Sequence, residues 1–177
     1  MKNKSNDYGG MPGYQSKTPF VKNIFHSRLE TAMKFGSITN DSRILDIGCR
    51  TGVLLKMIRN HNKLCECYGI DKEGWSFANT SIENCILKGA DVIDMPFTDG
   101  FFDTLFSLDT LEHVEDLDQA IAEIKRILKP NGFFILSGPT ETWFYKFCRF
   151  LWLGRFHESG HIYSVKDIEK KFEKNNF

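Results

Sequence analysis

Ile44-Leu45-Asp46-Ile47-Gly48-Cys49-Arg50-Thr51-Gly52 is a short apolar run that carries an acid near its end and turns through two glycines into a segment beginning at Val53. The pattern predicts a strand, a tight loop and a helix. In an open parallel sheet such a loop sits at the carboxyl end of its strand, where ligands bind. Glycine lets the backbone turn sharply and approach a ligand closely. The acid bears on which ligand. A carboxylate at the strand end repels a dinucleotide pyrophosphate at close range and suits a ligand with a cationic head.

A glycine loop alone specifies little, but the chain continues in kind. Cys65-Glu66-Cys67-Tyr68-Gly69-Ile70-Asp71 reads as the next strand, again ending in an acid. Asp71 follows Gly52 at close to the roughly 20-residue spacing at which an acid meets ribose hydroxyls in such folds. A carboxylate there accepts from both hydroxyls and clashes with a 2′-phosphate.

With these residues in view, the chain resembles the class I S-adenosylmethionine (SAM)-dependent methyltransferases, particularly the small-molecule and quinone-biosynthesis group. The resemblance extends over roughly residues 20 to 177. Asp46, Gly48 and Gly52 match the family's D-x-G-x-G-x-G motif, and Arg50 replaces its middle glycine. A long cation there would crowd the methionine end of SAM or contact its carboxylate. Gly89-Ala90-Asp91-Val92-Ile93-Asp94-Met95-Pro96-Phe97 resembles the stretch after the third strand, where an acid and the next amide hold the adenine edge. Asp91 and Val92 occupy those places. Phe102-Asp103-Thr104-Leu105-Phe106-Ser107-Leu108-Asp109-Thr110-Leu111-Glu112-His113 resembles the fourth strand and its turn into the active site. Leu128-Lys129-Pro130-Asn131-Gly132-Phe133-Phe134-Ile135-Leu136 resembles the family's helix stop and fifth strand. The resemblance implies an α/β, Rossmann-like fold, a mainly parallel sheet with helices on both faces. It also implies SAM as cofactor, with Asp46, Gly48, Cys49, Gly52, Asp71, Lys72, Asp91, Val92 and Leu108 around it.

Periodicity agrees with that order of elements. Helices are expected over 19–36, 53–60, 73–81 and 116–128, and strands over 43–48, 64–70, 85–88, 103–108 and 133–137. The alternation predicts a parallel sheet covered on both faces. In the 116–128 segment Leu117, Ala120, Ile121, Ile124, Ile127 and Leu128 share one face, and Asp116 and Gln119 form a capping pair. Ser164 starts a last helix. The family continues from there into an antiparallel hairpin, whereas this sequence stops at Phe177. The expectation is a copy lacking those strands, with an open sheet edge.

The 177 residues form one domain over 18–177, preceded by a flexible tail over 1–17 whose Tyr8 and Tyr14 are alternatively part of a lid. Lysine plus arginine equals aspartate plus glutamate, 23 each, so no global charge draws the chain to nucleic acid, and none is expected as partner. Cys49, Cys65, Cys67, Cys85 and Cys148 match no disulfide or zinc framework. Reduced thiols, no apolar signal core and no spanning run point to a cytoplasmic protein.

Methyl transfer is an in-line displacement at a carbon already activated by the sulfonium, so the protein supplies placement rather than a nucleophile. A base is needed only if the acceptor loses a proton. His113 has three readings: a brace of the loop with Glu112, a general base, or a metal ligand with Asp109 and Glu112 if one helical turn aims all three alike. The predicted site contains no metal. His161, beside His157 and Glu158, is either a residue of the acceptor side or of a surface loop. The aromatic and basic segment 143–156 is either a packed helix or a lid over a lipid-like acceptor with peripheral membrane contact. The expected reaction is methyl transfer to a small-molecule or lipid-like acceptor. The alternatives are a non-catalytic SAM-binding or scaffold domain and an NAD-dependent oxidoreductase; the latter calls for a G-x-G-x-x-G loop that the chain lacks.

Overall fold

The computed structural model describes residues 19–73, 81–138, 162–175 and 177. The tail over 1–17, most of the expected 73–81 helix, the aromatic segment 143–156 and His157, Glu158 and His161 lie outside the described residues. The described elements run α1 (Pro19–Phe35), β1 (Arg43–Ile47), α2 (Val53–His61), β2 (Glu66–Asp71), β3 (Cys85–Gly89), β4 (Phe102–Leu108), a 3-10 turn (Leu111–His113), α3 (Leu117–Ile127), β5 (Leu128–Ser137) and α4 (Val165–Lys174).

Five strands form one sheet in the order β3-β2-β1-β4-β5, and all four neighbouring pairs are parallel. The order reverses beside β1, the switch point at which open α/β sheets bind ligands. Alternate residues of each strand face opposite layers. Ile44, Cys67 and Phe106 pack with Leu29, Leu54, Leu55 and Ile58 from α1 and α2. Leu45, Ile47 and Leu105 pack with Leu117, Ile121 and Ile124 of α3 and Ile168 of α4. Helices therefore cover both faces, as the alternation of elements requires. No strand follows β5 among the described residues.

The amphipathic helices follow their patterns closely. In α3 the buried residues are Leu117, Ala120, Ile121, Ile124 and Ile127, and the Asp116 side chain accepts from the Gln119 N–H at 3.0 Å. The Gln119 side chain turns instead to the Ile93 carbonyl. Ser164 and Asp167 close a reciprocal capping box on α4. Helix α1 buries only part of its apolar residues. Leu29 and Ala32 are buried, whereas Ile24 and Phe35 are exposed and line a hollow against Ile135 and Leu136 of β5.

Strand β5 starts five residues earlier than its periodicity suggests. Phe102 pairs with Leu128 and Thr104 with Phe133, so Lys129-Pro130-Asn131-Gly132 forms an irregular bulge. Asn131 takes φ 64° there, a conformation asparagine tolerates better than most residues. Hydrophobic alternation cannot register a strand whose first residues bulge.

The β1 loop has little room. Gly48 takes φ 76°, and a Cβ on it would lie 2.2 Å from the Thr110 Oγ1. Gly100 has a similar φ of 58° with nothing within 4 Å of the same point. Gly100→Ala is expected to cost about 1–2 kcal/mol for left-handed backbone alone. Gly48→Ala is expected to cost a further ~1–3 kcal/mol from overpacking. Urea denaturation of the two variants checks the difference; equal losses would show that Thr110 yields freely.

Candidate active site

A cavity of about 450 Å³ opens at the carboxyl ends of β1, β2 and β4. Of the residues expected around a ligand, Gly48, Asp71, Lys72, Asp91 and Val92 line it, together with Arg50 and His113. Asp46, Cys49, Gly52 and Leu108 are not among its lining residues. Asp46 and Cys49 are each 5% exposed, and Cys49 packs near Gly69.

Each wall has a local cause. The β1 turn is left-handed at Gly48, Arg50 and Gly52, with φ 76°, 44° and 67°. Arg50 thus occupies a conformation that favours glycine, at the position where the resemblance calls for one. Its backbone N–H donates to the Asp71 Oδ2 at 2.9 Å, and the Glu73 N–H donates to the Asp71 Oδ1 at 2.9 Å. Two backbone bonds thus fix the plane of the Asp71 carboxylate, leaving each oxygen capacity for a ligand. Asp91 pairs with the Lys72 ammonium at 2.9 Å beside the same strand ends.

Asp46 is 5% exposed, and no hydrogen bond reaches its carboxyl among the described residues. Burial, and then the charge of Asp71, push its pKa up to about 8. Two acids at neighbouring strand ends with one of them protonated describe a site short of positive charge.

The β4 end is held from a distance. Arg28 on α1 donates to the Asp109 carboxylate and to the Ser137 Oγ at 2.7 Å, while the Asp109 N–H donates to the Ser137 carbonyl at 2.8 Å. Asp109 takes φ 56°. This geometry corrects the reading in which one helical turn aims Asp109, Glu112 and His113 alike. The helical turn spans only Leu111–His113, and Asp109 precedes it in a left-handed conformation, engaged by Arg28. Glu112 is 1% exposed with neither carboxylate oxygen hydrogen-bonded among the described residues. Its carboxyl is pushed above the ordinary range, chiefly by burial. Among the described residues no group of three or more His, Cys, Asp or Glu side chains is arranged to hold a metal. The Glu112 carbonyl accepts from the Ile162 N–H at 2.7 Å and so anchors the approach to α4. His113 alone of the three faces the cavity while belonging to that turn.

Sequence reasoning missed Thr110 and Arg28. Thr110 packs on Gly48, and its Oγ1 bonds to the Ile47 carbonyl at 3.2 Å. Arg28 acts across 81 positions of chain, so no local pattern marks it.

The raised Asp46 pKa fixes a sign. In the folded chain Asp46 keeps its proton from about pH 4 to about 8, where the unfolded chain has lost it. The folded state then binds more protons, so this group makes stability fall as pH rises through that window. Asp46→Asn removes the term. The melting temperature of the variant should gain on that of the parent steadily from pH 4.5 to 8. A pH-independent difference would show that Asp46 titrates normally.

The fold agrees with what the chain is similar to. A family model described as a methyltransferase domain matches residues 45–136, more than half of the chain. The sterol 4-C-methyltransferase strm-1 of Caenorhabditis elegans is 34% identical over 111 residues, covering 59% of this chain and 33% of that protein. The chain thus spans about a third of the length of that relative. The crystal structure of YcgJ from Bacillus subtilis superposes with a TM-score of 0.66 at 22% identity, over 85% of this chain and 68% of that one. Phosphoethanolamine N-methyltransferase 2 of Haemonchus contortus, solved in complex with S-adenosyl-L-methionine, gives 0.63 at 20% identity, over 85% and 36%. On the family match, which takes in the β1 loop and every strand of the sheet from β2 to β5, the chain belongs to the methyltransferase domain family.

Proposed function

We propose that this domain binds SAM in the cavity at the β1–β2–β4 ends and transfers its methyl group to a small-molecule or lipid-like acceptor. The observation that carries the reading is the Asp71 carboxylate. It is oriented by two backbone N–H groups on the cavity wall, at the end of the strand next to the glycine turn. Such a carboxylate suits a ribose diol. The cavity volume lies inside the roughly 300–1,000 Å³ range of small-molecule sites.

The residues present fit the cofactor. Gly48 lines the cavity, where its left-handed turn presents backbone to a ligand. Asp71 would hold the ribose, and Asp91 with Val92 the adenine edge. Asp46, protonated in the free chain, would give up its proton more readily beside a cationic amino-acid head. When bound, SAM supplies a methyl carbon activated by its sulfonium. The chain's share is to orient that carbon toward the acceptor and keep water out. His113, on the far wall, would take a proton from an acceptor hydroxyl or amine in the neutral imidazole form. A relative named for sterol methylation supports an acceptor with a large apolar body. The second reading, a domain that binds SAM without turnover, draws on the Arg50 side chain at the cavity wall.

Calorimetric titration with SAM, with NAD as control, tests the binding step. The parent should bind SAM and not NAD. Asp71→Ala should lose about 1.5–3 kcal/mol of affinity, the scale of charge-assisted hydrogen bonds. Unchanged affinity would remove Asp71 from the pocket. SAM binding with no methyl transfer across sterol, quinone and amine acceptors would favour the non-catalytic reading.

A further inference from the structure

Three of the four cysteines among the described residues lie together at the beginnings of β2 and β3, at the strand ends opposite to the cavity. Cys67 is the ladder partner of Cys85. The Cys65 Sγ lies 3.7 Å from the Cys67 Sγ. Cys65 and Cys67 are each 1% exposed, whereas Cys85 is partly open to solvent.

Arg59 of α2 sits beside this group. It is nearly buried, and its guanidinium donates to the Glu83 carbonyl at 3.1 Å, to the Cys65 carbonyl at 2.9 Å and to the Lys63 carbonyl. Among the described residues no carboxylate pairs with it. A buried cation without a counter-ion is costly, and an adjacent thiolate offsets that cost. The neighbouring Cys67 thiol, and then the Arg59 charge, hold the Cys85 thiol below its ordinary range, while Cys85 and burial hold Cys67 above it.

We propose that Cys85 and Cys67 form a peroxide-reactive thiol pair that closes to a disulfide across β2 and β3. The Cys85 thiolate attacks one oxygen of a hydroperoxide, the O–O bond breaks, and the other oxygen leaves as water or alcohol after taking a proton. Cys85 is then a sulfenic acid, oxidised by two electrons as the peroxide is reduced. The Cys67 sulfur attacks the Cys85 sulfur, an S–S bond forms, and the sulfenic oxygen departs as water with the Cys67 proton. The ladder sets the pairing. Neighbouring strands are about 4.8 Å apart, inside the roughly 4.4–6.8 Å Cα window of disulfides. Cys65 and Cys67, two positions apart on one chain, are held near the outer limit of that window by strand extension. The site is independent of the cavity and of the methyl-transfer reading.

The test treats the full 177-residue chain with hydrogen peroxide and maps its peptides without reduction. The expected product is a Cys67–Cys85 link that a reductant reverses. Cys67→Ala should stop at Cys85 sulfenic acid, trapped by dimedone, and Cys85→Ser should give no link. Circular dichroism checks that both variants fold. If either does not, the parent alone decides: at pH 7 iodoacetamide should modify Cys85 about tenfold faster in the folded chain than in urea. A map dominated by any other cysteine pair, or a Cys85 that reacts no faster folded than unfolded, overturns the proposal.

Discussion

The bond from the Arg50 backbone N–H to the Asp71 carboxylate ties the loop after β1 to the end of β2, and the cavity takes its shape from that tie. It forms only because the sheet is parallel and in register, with Ile47 beside Ile70. The Gly48 and Cys49 N–H groups both donate to the Ile70 carbonyl, at 2.8 and 2.9 Å, so the loop leaves β1 already folded over β2. Gly69 permits this approach. A Cβ there would lie 2.8 Å from the Cys49 Sγ and 2.9 Å from the Leu55 side chain. The left-handed turn, the missing side chain at Gly69 and the orientation of Asp71 are therefore one constraint expressed three times.

That constraint has an electrostatic consequence. Folding brings Asp46 and Asp71 to adjacent strand ends, and Asp46 is buried without a partner among the described residues. The chain meets the cost by keeping a proton on Asp46. Functional sites commonly hold such groups, because the charge imbalance that costs stability in the free protein favours a ligand of opposite sign. Lys72 balances Asp91 but is largely exposed, where an ion pair contributes little to stability. The uncompensated negative potential belongs to the β1–β2 side.

A second long-range tie closes the other wall. Arg28 joins α1 to Asp109 at the end of β4 and to Ser137 at the end of β5. Asp109 is consequently a structural anchor, although it lines the cavity. The same turn buries Glu112 and leaves His113 facing the cavity, so three residues close in sequence have three different surroundings.

The described elements of this protein could be read largely from its chain. The short apolar run across Ile44–Ile47 and the period of 3.6 across Leu117–Ile127 reflect the core each segment must bury, and burial is what makes such patterns. The β1 glycines were legible because their conformation excludes most other residues, and the acids were legible because they end apolar runs. The early start of β5 was not, since the Lys129–Gly132 bulge breaks the alternation on which register depends. Nor were the surroundings of the acids. Sequence alone determined that Asp46, Asp71 and Asp91 stand at loop ends of a Rossmann-like sheet. Only the tertiary structure decided that Asp71 is oriented on the cavity wall, that Asp46 is buried, and that Asp109 is held by Arg28. Burial and electrostatic potential sum over neighbours distant in sequence, so no local pattern carries them.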